Sequence, residues 1–515
     1  MVAALLRVLH SGIQDSRLLS PKGQPNVALF TTVLIRAGRF TTQWVRLDFD
    51  TTPKFGNKAV ITLPRKGHLI SRIYLVCTYP DIFTAQRTAA ATGGANFLGP
   101  VWTWTNSLGH AVVNNARVDI GGVRVEQIDG RLLEVLDEFY TPLEKVPLVN
   151  SLIRRNITNF PDFSTAPTAP VVTYTPLPFW FSRGDSGVAL PIDALAVDPV
   201  KLTVTFNPVS NLVISTALSP NYTDVAGSRY FPIEGAPFYV ADPTGSAVYG
   251  LPATAGATGN PTVAVNATAI PNTTMPSPLL LKDTYVIAEY IYLDAPEANR
   301  FRISDIEVPI TQHYAFESHD SSAAPMSSID LRIPNPTRNI FFYANRYEAP
   351  SYNAPFLATR DLSGATAPGH LWWPDANPIN MKSPAPLQPG FVFRNSEPLK
   401  TIQLVYEGSL VRYSTLSPSI FRSLIPSTEM KKSPYVNRYI YSLHFGLNHG
   451  GLDPSYPCGE ANLDKVTSIS LDLEYKPLAG SSVKTNVPRY IVWTWAETYN
   501  IFRVYAGRGG MMFAY

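Results

Sequence analysis

The chain reads as an all-β protein made of sandwich or jelly-roll units, and three observations predict this. Short runs rich in β-branched and aromatic residues recur along all 515 positions. The 46 Pro and 32 Gly are scattered between these runs as turn punctuation and do not gather in a tail. Each half also runs strands, then a long excursion, then a loop-rich strand pair closing on an alternating strand, at 201–206 and again at 468–475. That layout permits an internal duplication of an all-β unit. At this length a single hydrophobic core no longer grows, so two or more domains are expected.

Within residues 1–20 a short helix is expected, with Leu5, Leu6, Val8, Leu9 and Ile13 giving it an apolar side. So brief a helix needs a surface to lie against. Strands are expected within 26–50. The stretch 55–79 organises the chain around it: a strand at 59–63, a tight turn at 64–67 and a second strand at 69–79. In that second strand Ile73, Leu75, Cys77 and Tyr79 share one side, while Tyr74 and Val76 make the other partly apolar. Apolar character on both sides marks a strand lying between layers. After a polar loop, strands are read at 101–105 and 111–120, and Gly121-Gly122 forms a turn. Residues 126–140 are the best helix candidate, with Ile128, Leu132, Val135, Leu136 and Phe139 recurring every three or four residues around an interior Gly130. Strands at 174–181 and 200–206 complete a first domain, 26–212. Residues 213–282 read as a surface excursion connecting the domains, because so long a stretch exceeds a bare linker. The second domain, 283–515, has strands at 283–293, 301–309, 340–343, 401–406, 439–445, 466–475 and 490–496, with a long loop at 350–392.

Composition narrows the function classes. Lys and Arg number 42 against 39 Asp and Glu, and charged residues are only 16% of the chain. With no dense basic run, direct nucleic-acid binding is not expected, and the weak field permits self-assembly. The two cysteines, Cys77 and Cys458, read as free thiols of a reducing compartment. No apolar run reaches membrane-span length, and the first residues lack a secretory cleavage signal. Sequons at Asn156, Asn221, Asn266 and Asn272 are then incidental.

No reaction centre emerges. The eight His do not cluster; His444 and His449 are divided between a strand and a loop. Ser182–Gly187 lacks a nucleophile elbow and reads as a structural turn, as does its Arg-Gly-Asp triplet. Gly507-Arg508-Gly509-Gly510 lacks the Lys-Ser/Thr of a phosphate loop. Asp137 and Glu138 lie on a helix flank with no acid–base role. No catalytic residue, metal or cofactor is expected. Aromatic clusters differ in kind: Trp102/Trp104 and Trp493/Trp495 each fall on one strand face and suit a core. Phe179-Trp180-Phe181 and Trp372-Trp373 must split between faces or lie in loops. They either anchor a protein interface or pack internally.

Six segments, in order, give the chain a resemblance to the double jelly-roll major capsid proteins of nucleocytoplasmic large DNA viruses. They are Gly12, Gln14 and Asp15, followed by Leu29-Phe30 and Arg36; Phe55-Gly56 with Pro64-Arg65, Gly67 and Leu69-Ile70; and the 123–140 segment with Gln127 and Phe139-Tyr140. Then come Pro178-Phe179-Trp180-Phe181 with Gly187, Leu190 and Pro191; Tyr290–Asp294 with Arg300-Phe301; and 441–462 leading to a tail around Gly507. The sequence departs from the pattern at 37–40 and at His68, where the family has Asp.

The resemblance implies two tandem eight-stranded jelly rolls, a homotrimer whose six jelly rolls make a pseudo-hexagonal capsomer, and capsomers tiling an icosahedral shell. It further implies neighbouring capsomers and minor capsid proteins as partners, an internal membrane beneath, an inward-facing 1–25 arm, assembly in the host cytoplasm, and no enzyme activity. Two other readings compete. One is a minor or vertex capsid protein. The other is a carbohydrate-binding or carbohydrate-active jelly roll, for which Trp372-Trp373 is the place to look and paired carboxylates the requirement.

Overall fold

The computed structural model describes residues 39–84, 102–155, 170–215, 237–240, 268–274, 277–347, 355–360, 397–447, 458–477 and 487–513, apart from a few single positions inside these stretches. The expected N-terminal helix, Gly12, Gln14, Asp15 and the pair Trp372-Trp373 lie outside the described residues.

The first half contains β1 (Phe40–Asp48), β2 (Lys58–Thr62), β3 (Leu69–Thr78), β4 (Trp102–Trp104), the short helix α1 (Leu108–Ala111), β5 (Val113–Ile120) and β6 (Val123–Asp129). It continues through helices α2 (Gly130–Tyr140) and α3 (Val146–Ile153), then β7 (Val172–Pro176), β8 (Val200–Phe206), β9 (Val213–Ser215), β10 (Pro237–Val240), β11 (Thr268–Thr274) and β12 (Thr284–Leu293). After α4 (Ala295–Ile303) come β13 (Ile306–Ala315), β14 (His319–Asp320), β15 (Met326–Leu331), β16 (Thr337–Arg346), β17 (Leu399–Tyr406), β18 (Leu410–Leu416), β19 (Tyr441–His444), β20 (Ile469–Tyr475), β21 (Tyr490–Tyr505) and β22 (Arg508–Met511).

Two four-stranded antiparallel sheets, β1-β12-β3-β7 and β2-β8-β5-β6, face each other in the first half. In the second, β13-β21-β16-β19 faces β15-β20-β17-β18. The order in which the chain visits its sheets is the same in both. In each, the first strand pairs with the last, the signature of a jelly roll. Two eight-stranded jelly rolls therefore stand on one chain, as the resemblance implied.

Three local expectations are refined. First, the strands expected on either side of the 64–67 turn are present as β2 and β3; they belong to opposite sheets, and Pro64–Gly67 carries the chain across the sandwich. Pro64 has no N–H to extend a ladder, and its carbonyl instead accepts the Tyr290 hydroxyl at 2.7 Å. A Cβ on Gly67 would stand 3.0 Å from Tyr290 Cβ, so only glycine passes there without displacement. Second, the 126–140 segment is strand up to Asp129. Asp129 caps the helix, accepting the Leu132 N–H at 2.7 Å. Gly130 is thus the first helical residue, where a side chain would run into the carbonyls of His110 and Val113.

Third, the boundary at 283 is misplaced. Strand β12 inserts between β1 and β3, so it is the eighth strand of the first jelly roll and not the opening of the second. In chain order residues 213–282 accordingly fall between β8 and β12, the last two strands of the first jelly roll, and not between the domains.

Cys77 is buried and Cys458 partly buried, and no disulfide joins them. A contiguous cluster of buried apolar residues runs from Leu47 to Val504 through both jelly rolls.

Candidate functional site

Strand β16 is buried at every one of its ten positions. One face meets its own sandwich partner; the other is roofed by the first jelly roll. The roof is α2 with its flanking strand. Phe139 stacks near Phe341 at 5.3 Å, and Arg131 lies 4.0 Å from the centre of the Trp493 ring. The Trp495 indole N–H donates to Asp129 Oδ2 at 3.1 Å, and Gln312 donates to the Val125 carbonyl at 2.7 Å. The seam between jelly rolls is therefore a fitted aromatic and polar surface.

Two buried charge clusters lie along it. In the first, Glu134 of α2 receives Arg155 at 2.6 Å, His110 at 2.7 Å and, from the second jelly roll, Arg438 at 2.8 Å. Glu138, one turn on, meets Lys432 at 3.2 Å and Arg438 at 3.7 Å; Asp137 pairs with Arg155. Burial alone would raise the Glu134 carboxyl, but Arg155, Arg438 and His110 outweigh it and hold the group well below its usual range. The same contest lowers Asp137 through Arg155 and His110. Three carboxylates thus face Arg155, Arg438 and Lys432, so the cluster is charge-balanced inside the protein.

In the second cluster Glu497 of β21 accepts the Tyr140 hydroxyl at 2.7 Å and the Asn339 amide at 2.6 Å, with Arg183 at 3.4 Å. Burial opposes its ionisation, yet the charges of Arg338, His313 and Arg183 bring its pKa down to about 2. Glu126, fully buried on β6, accepts the Trp180 backbone N–H at 2.9 Å and lies 3.3 Å from His313. These acids are tied on both sides by donors and are built for adhesion. Asp129, raised by burial, has both oxygens engaged by Leu132 and Trp495, which leaves neither for acid–base chemistry.

The residues singled out by sequence fall largely on this seam or on the joints beside it. Trp180 does not anchor a subunit interface. It is 2% exposed and packs 5.6 Å from Phe502 of the second jelly roll, while Phe179 and Phe181, both buried, stack on each other at 5.8 Å. All three aromatics are buried because Trp180–Ser182 is a single helical turn that swings them into one pocket. Pro178 gives its carbonyl to Arg183 Nε at 3.2 Å, aiming that guanidinium at Glu497. Gly187 donates to Asp185 in a tight turn at 2.8 Å. Leu190 bridges Ile70, and the Pro191 carbonyl accepts from Ala194.

Arg65 donates to the carbonyls of Leu195 and Ala196, and Gly507, at φ +80°, accepts from Val197 at 2.9 Å. Two distant motifs thus grip the same loop. Phe55 stacks on Trp104 at 6.5 Å; Gly56 takes φ +75°. Phe301 packs on Leu69, Ala189 and Ile291, and the Arg300 carbonyl closes α4 by accepting from Ser304.

His68 now has a reason. Its Nδ1 accepts the Leu293 N–H at 2.9 Å, the bond an Asp side chain can also make, so the ring proton sits on Nε2. His68→Asn is expected to keep that acceptor and remain within about 0.5 kcal/mol of the parent, whereas His68→Ala loses about 1 kcal/mol. Urea midpoints of the two variants check this.

Glu134, Arg155, Arg438, Glu497 and His313 carry no signal in the sequence that sets them apart. Asp137 and Glu138, read as helix-flank residues, are buried ion-pair partners. Among the described residues no group of three or more His, Cys, Asp or Glu is placed to hold a metal ion, and no helix is long and apolar enough to cross a membrane.

Two jelly rolls of one topology, welded through buried charge, define a double jelly-roll structural protein. Residues 28–276 match the family model of the major capsid protein N-terminus, and residues 298–510 match that of the large eukaryotic DNA virus major capsid protein. The chain belongs to this major capsid protein family. It is 22% identical to the major capsid protein of Rana tigrina ranavirus over 89% of this chain and 86% of that protein. It is 26% identical to the major capsid protein of Pyramimonas orientalis virus over 42% of this chain, and 26% identical to capsid protein 1 of Acanthamoeba polyphaga mimivirus, also over 42%. These last two matches span only 50% and 36% of the relatives' own lengths. Among solved structures, PBCV-1 VP54 superposes with TM-score 0.63 at 19% identity, covering 95% of this chain and all of that one. The Faustovirus major capsid protein gives 0.62 at 12% identity, over 97% of this chain and 96% of that one.

Proposed function

We propose that this chain is the major structural subunit of an icosahedral double-stranded DNA virus shell, and that three copies form a pseudo-hexagonal capsomer. The observation that carries the reading is the repeated topology: two jelly rolls with one strand order, held side by side by the seam, give each chain two near-equivalent walls. Three such chains make six walls around one axis, the shape that tiles a facet. Closed cyclic assembly is the ordinary outcome for repeated identical contacts. Neighbouring capsomers, minor capsid proteins and an inner membrane are its partners in the virion, with assembly in the host cytoplasm and no contact with the genome.

The purified protein is expected to elute at about 170 kDa, three times the 56.6 kDa chain, by size-exclusion chromatography with light scattering. A folded monomer at every concentration sinks the capsomer reading. A minor or vertex role is separated by abundance, since the major subunit dominates the stained-gel pattern of purified particles.

A further inference from the structure

The two jelly rolls treat equivalent sheets differently. In the second, the row His313–Glu497–Asn339 crosses the outer face of β13-β21-β16, followed by Ala315–Trp495–Phe341 and then Trp493–Tyr343. In the first, the matching rows across β1-β12-β3 are Trp44–Glu289–Arg72, Arg46–Ile287–Tyr74 and Asp48–Tyr285–Val76. An acid on the eighth strand and large apolar or aromatic groups in the next rows occupy the same registers in both.

The second face is roofed by α2: Trp495, Phe341 and Tyr343 are each 2% exposed or less. The first has no such roof among the described residues. Trp44 is 49% exposed and Tyr174 38% exposed, and Ile287, Tyr74 and Tyr285 are only partly buried. Trp44 and Tyr74 meet at 5.7 Å on this face. Arg46 lies 3.9 Å above the Tyr285 ring, and Arg72 pairs with Glu289 at 3.2 Å. An aromatic surface rimmed by neutralised charge is a contact surface by composition.

The occupant is indicated by the internal repeat. Helix α2 lies in the connection between the fifth and sixth strands of the first jelly roll, and it roofs the second. The same connection in the second jelly roll, between β18 and β19, holds a helical segment, Ile420–Leu424 running into Ile425–Glu429, whose Leu424 is 60% exposed. We propose that Ile420–Glu429 of a second copy of this chain roofs the bare face of the first jelly roll, placing Leu424 over Trp44, Tyr74 and Ile287. Inside the chain the step runs from first to second jelly roll. Between chains it runs from second to first, head to tail. Alternating the two steps closes a ring. The inference rests on the trimer reading above and names the surfaces that make it.

The test replaces Tyr74→p-benzoylphenylalanine, which keeps an aromatic at the site, in full-length protein mixed from isotopically light and heavy chains. Irradiation followed by peptide mass spectrometry is expected to join position 74 of one chain to a peptide within 417–430 of another. Trp44→Asp and Leu424→Asp, both at exposed positions, are each expected to reduce trimer by about tenfold or more at fixed chain concentration while leaving the melting of the monomer unchanged. Adducts to residues 1–38 of the same chain, adducts to another surface of the partner, or a trimer without interchain adducts overturn this assignment and leave the trimer standing. A parent protein that is monomeric throughout overturns the trimer reading itself.

Discussion

Glu134→Ala is expected to lower the unfolding free energy by about 3–5 kcal/mol, the largest effect expected of any single substitution in the seam. The cost arises less from the bonds lost than from the charges left behind. Arg155 and Arg438 are 3% and 5% exposed at their side chains, and each points at Glu134. Without the carboxylate, two guanidinium groups face each other in a medium that cannot hydrate them. Glu138 and Asp137 compensate only in part, since Lys432 already occupies Glu138 at 3.2 Å. The denaturant midpoint at neutral pH measures the loss. Lys400→Ala removes a pair to Glu474 on the surface, with the lysine 58% exposed, and is expected to change stability by no more than about 1 kcal/mol. Equal effects from the two substitutions would refute the seam as a source of stability.

Acid should open the same seam. The Glu497 carboxyl sits at about 2 in the folded protein against an ordinary 4.5. A folded-state value below the unfolded one means the stabilisation is complete above the unfolded value and is lost as the pH falls through the folded one. For Glu497 that window runs from about pH 4.5 down to about pH 2, and it is worth on the order of 3 kcal/mol. Glu134 and Asp137 are depressed as well and lose their contributions in the same direction. Urea midpoints measured across this range should fall steeply. Glu497→Gln is expected to be less stable at pH 7 and to show a flatter fall below pH 4.5. A parent protein whose stability is constant from pH 5 to pH 2.5 would contradict the ionised seam.

Much of the fold is legible in the sequence because strands announce themselves locally. The alternation in β8 and β20 and the double-faced β3 each depend on residues within ten positions of one another, and the order of the short motifs carries the family. What escapes depends on distance. That β12 returns to pair with β1 and β3 is written in no neighbouring residue. The pairing of Glu134 with Arg438 joins positions 304 apart in sequence, so each looks like an ordinary charged residue among its neighbours. The 126–140 segment misleads for the opposite reason. Its apolar spacing suits a helix throughout, yet cross-strand pairing with β5 holds 123–129 extended, and Asp129 sets the true start. The neighbours of Trp180 leave it between burial and an interface; Phe502, far along the chain, decides the matter.

The strand order also sets a timetable for synthesis. In the first jelly roll, among the described residues, β1 joins its sheet through β12 alone, so that sandwich waits for residue 293 to leave the ribosome. In the second, β13 pairs among the described residues with β21 alone, which is not complete until residue 505 emerges. Until then Asp129 and Tyr140 of the first jelly roll lack Trp495 and Glu497 of β21. The nascent chain is therefore long, half-finished and adhesive for most of its translation, the condition under which a polypeptide needs shielding by chaperones. The first sandwich is then complete well before the second, and the seam between them closes only once Trp495 and Glu497 of β21 are in place.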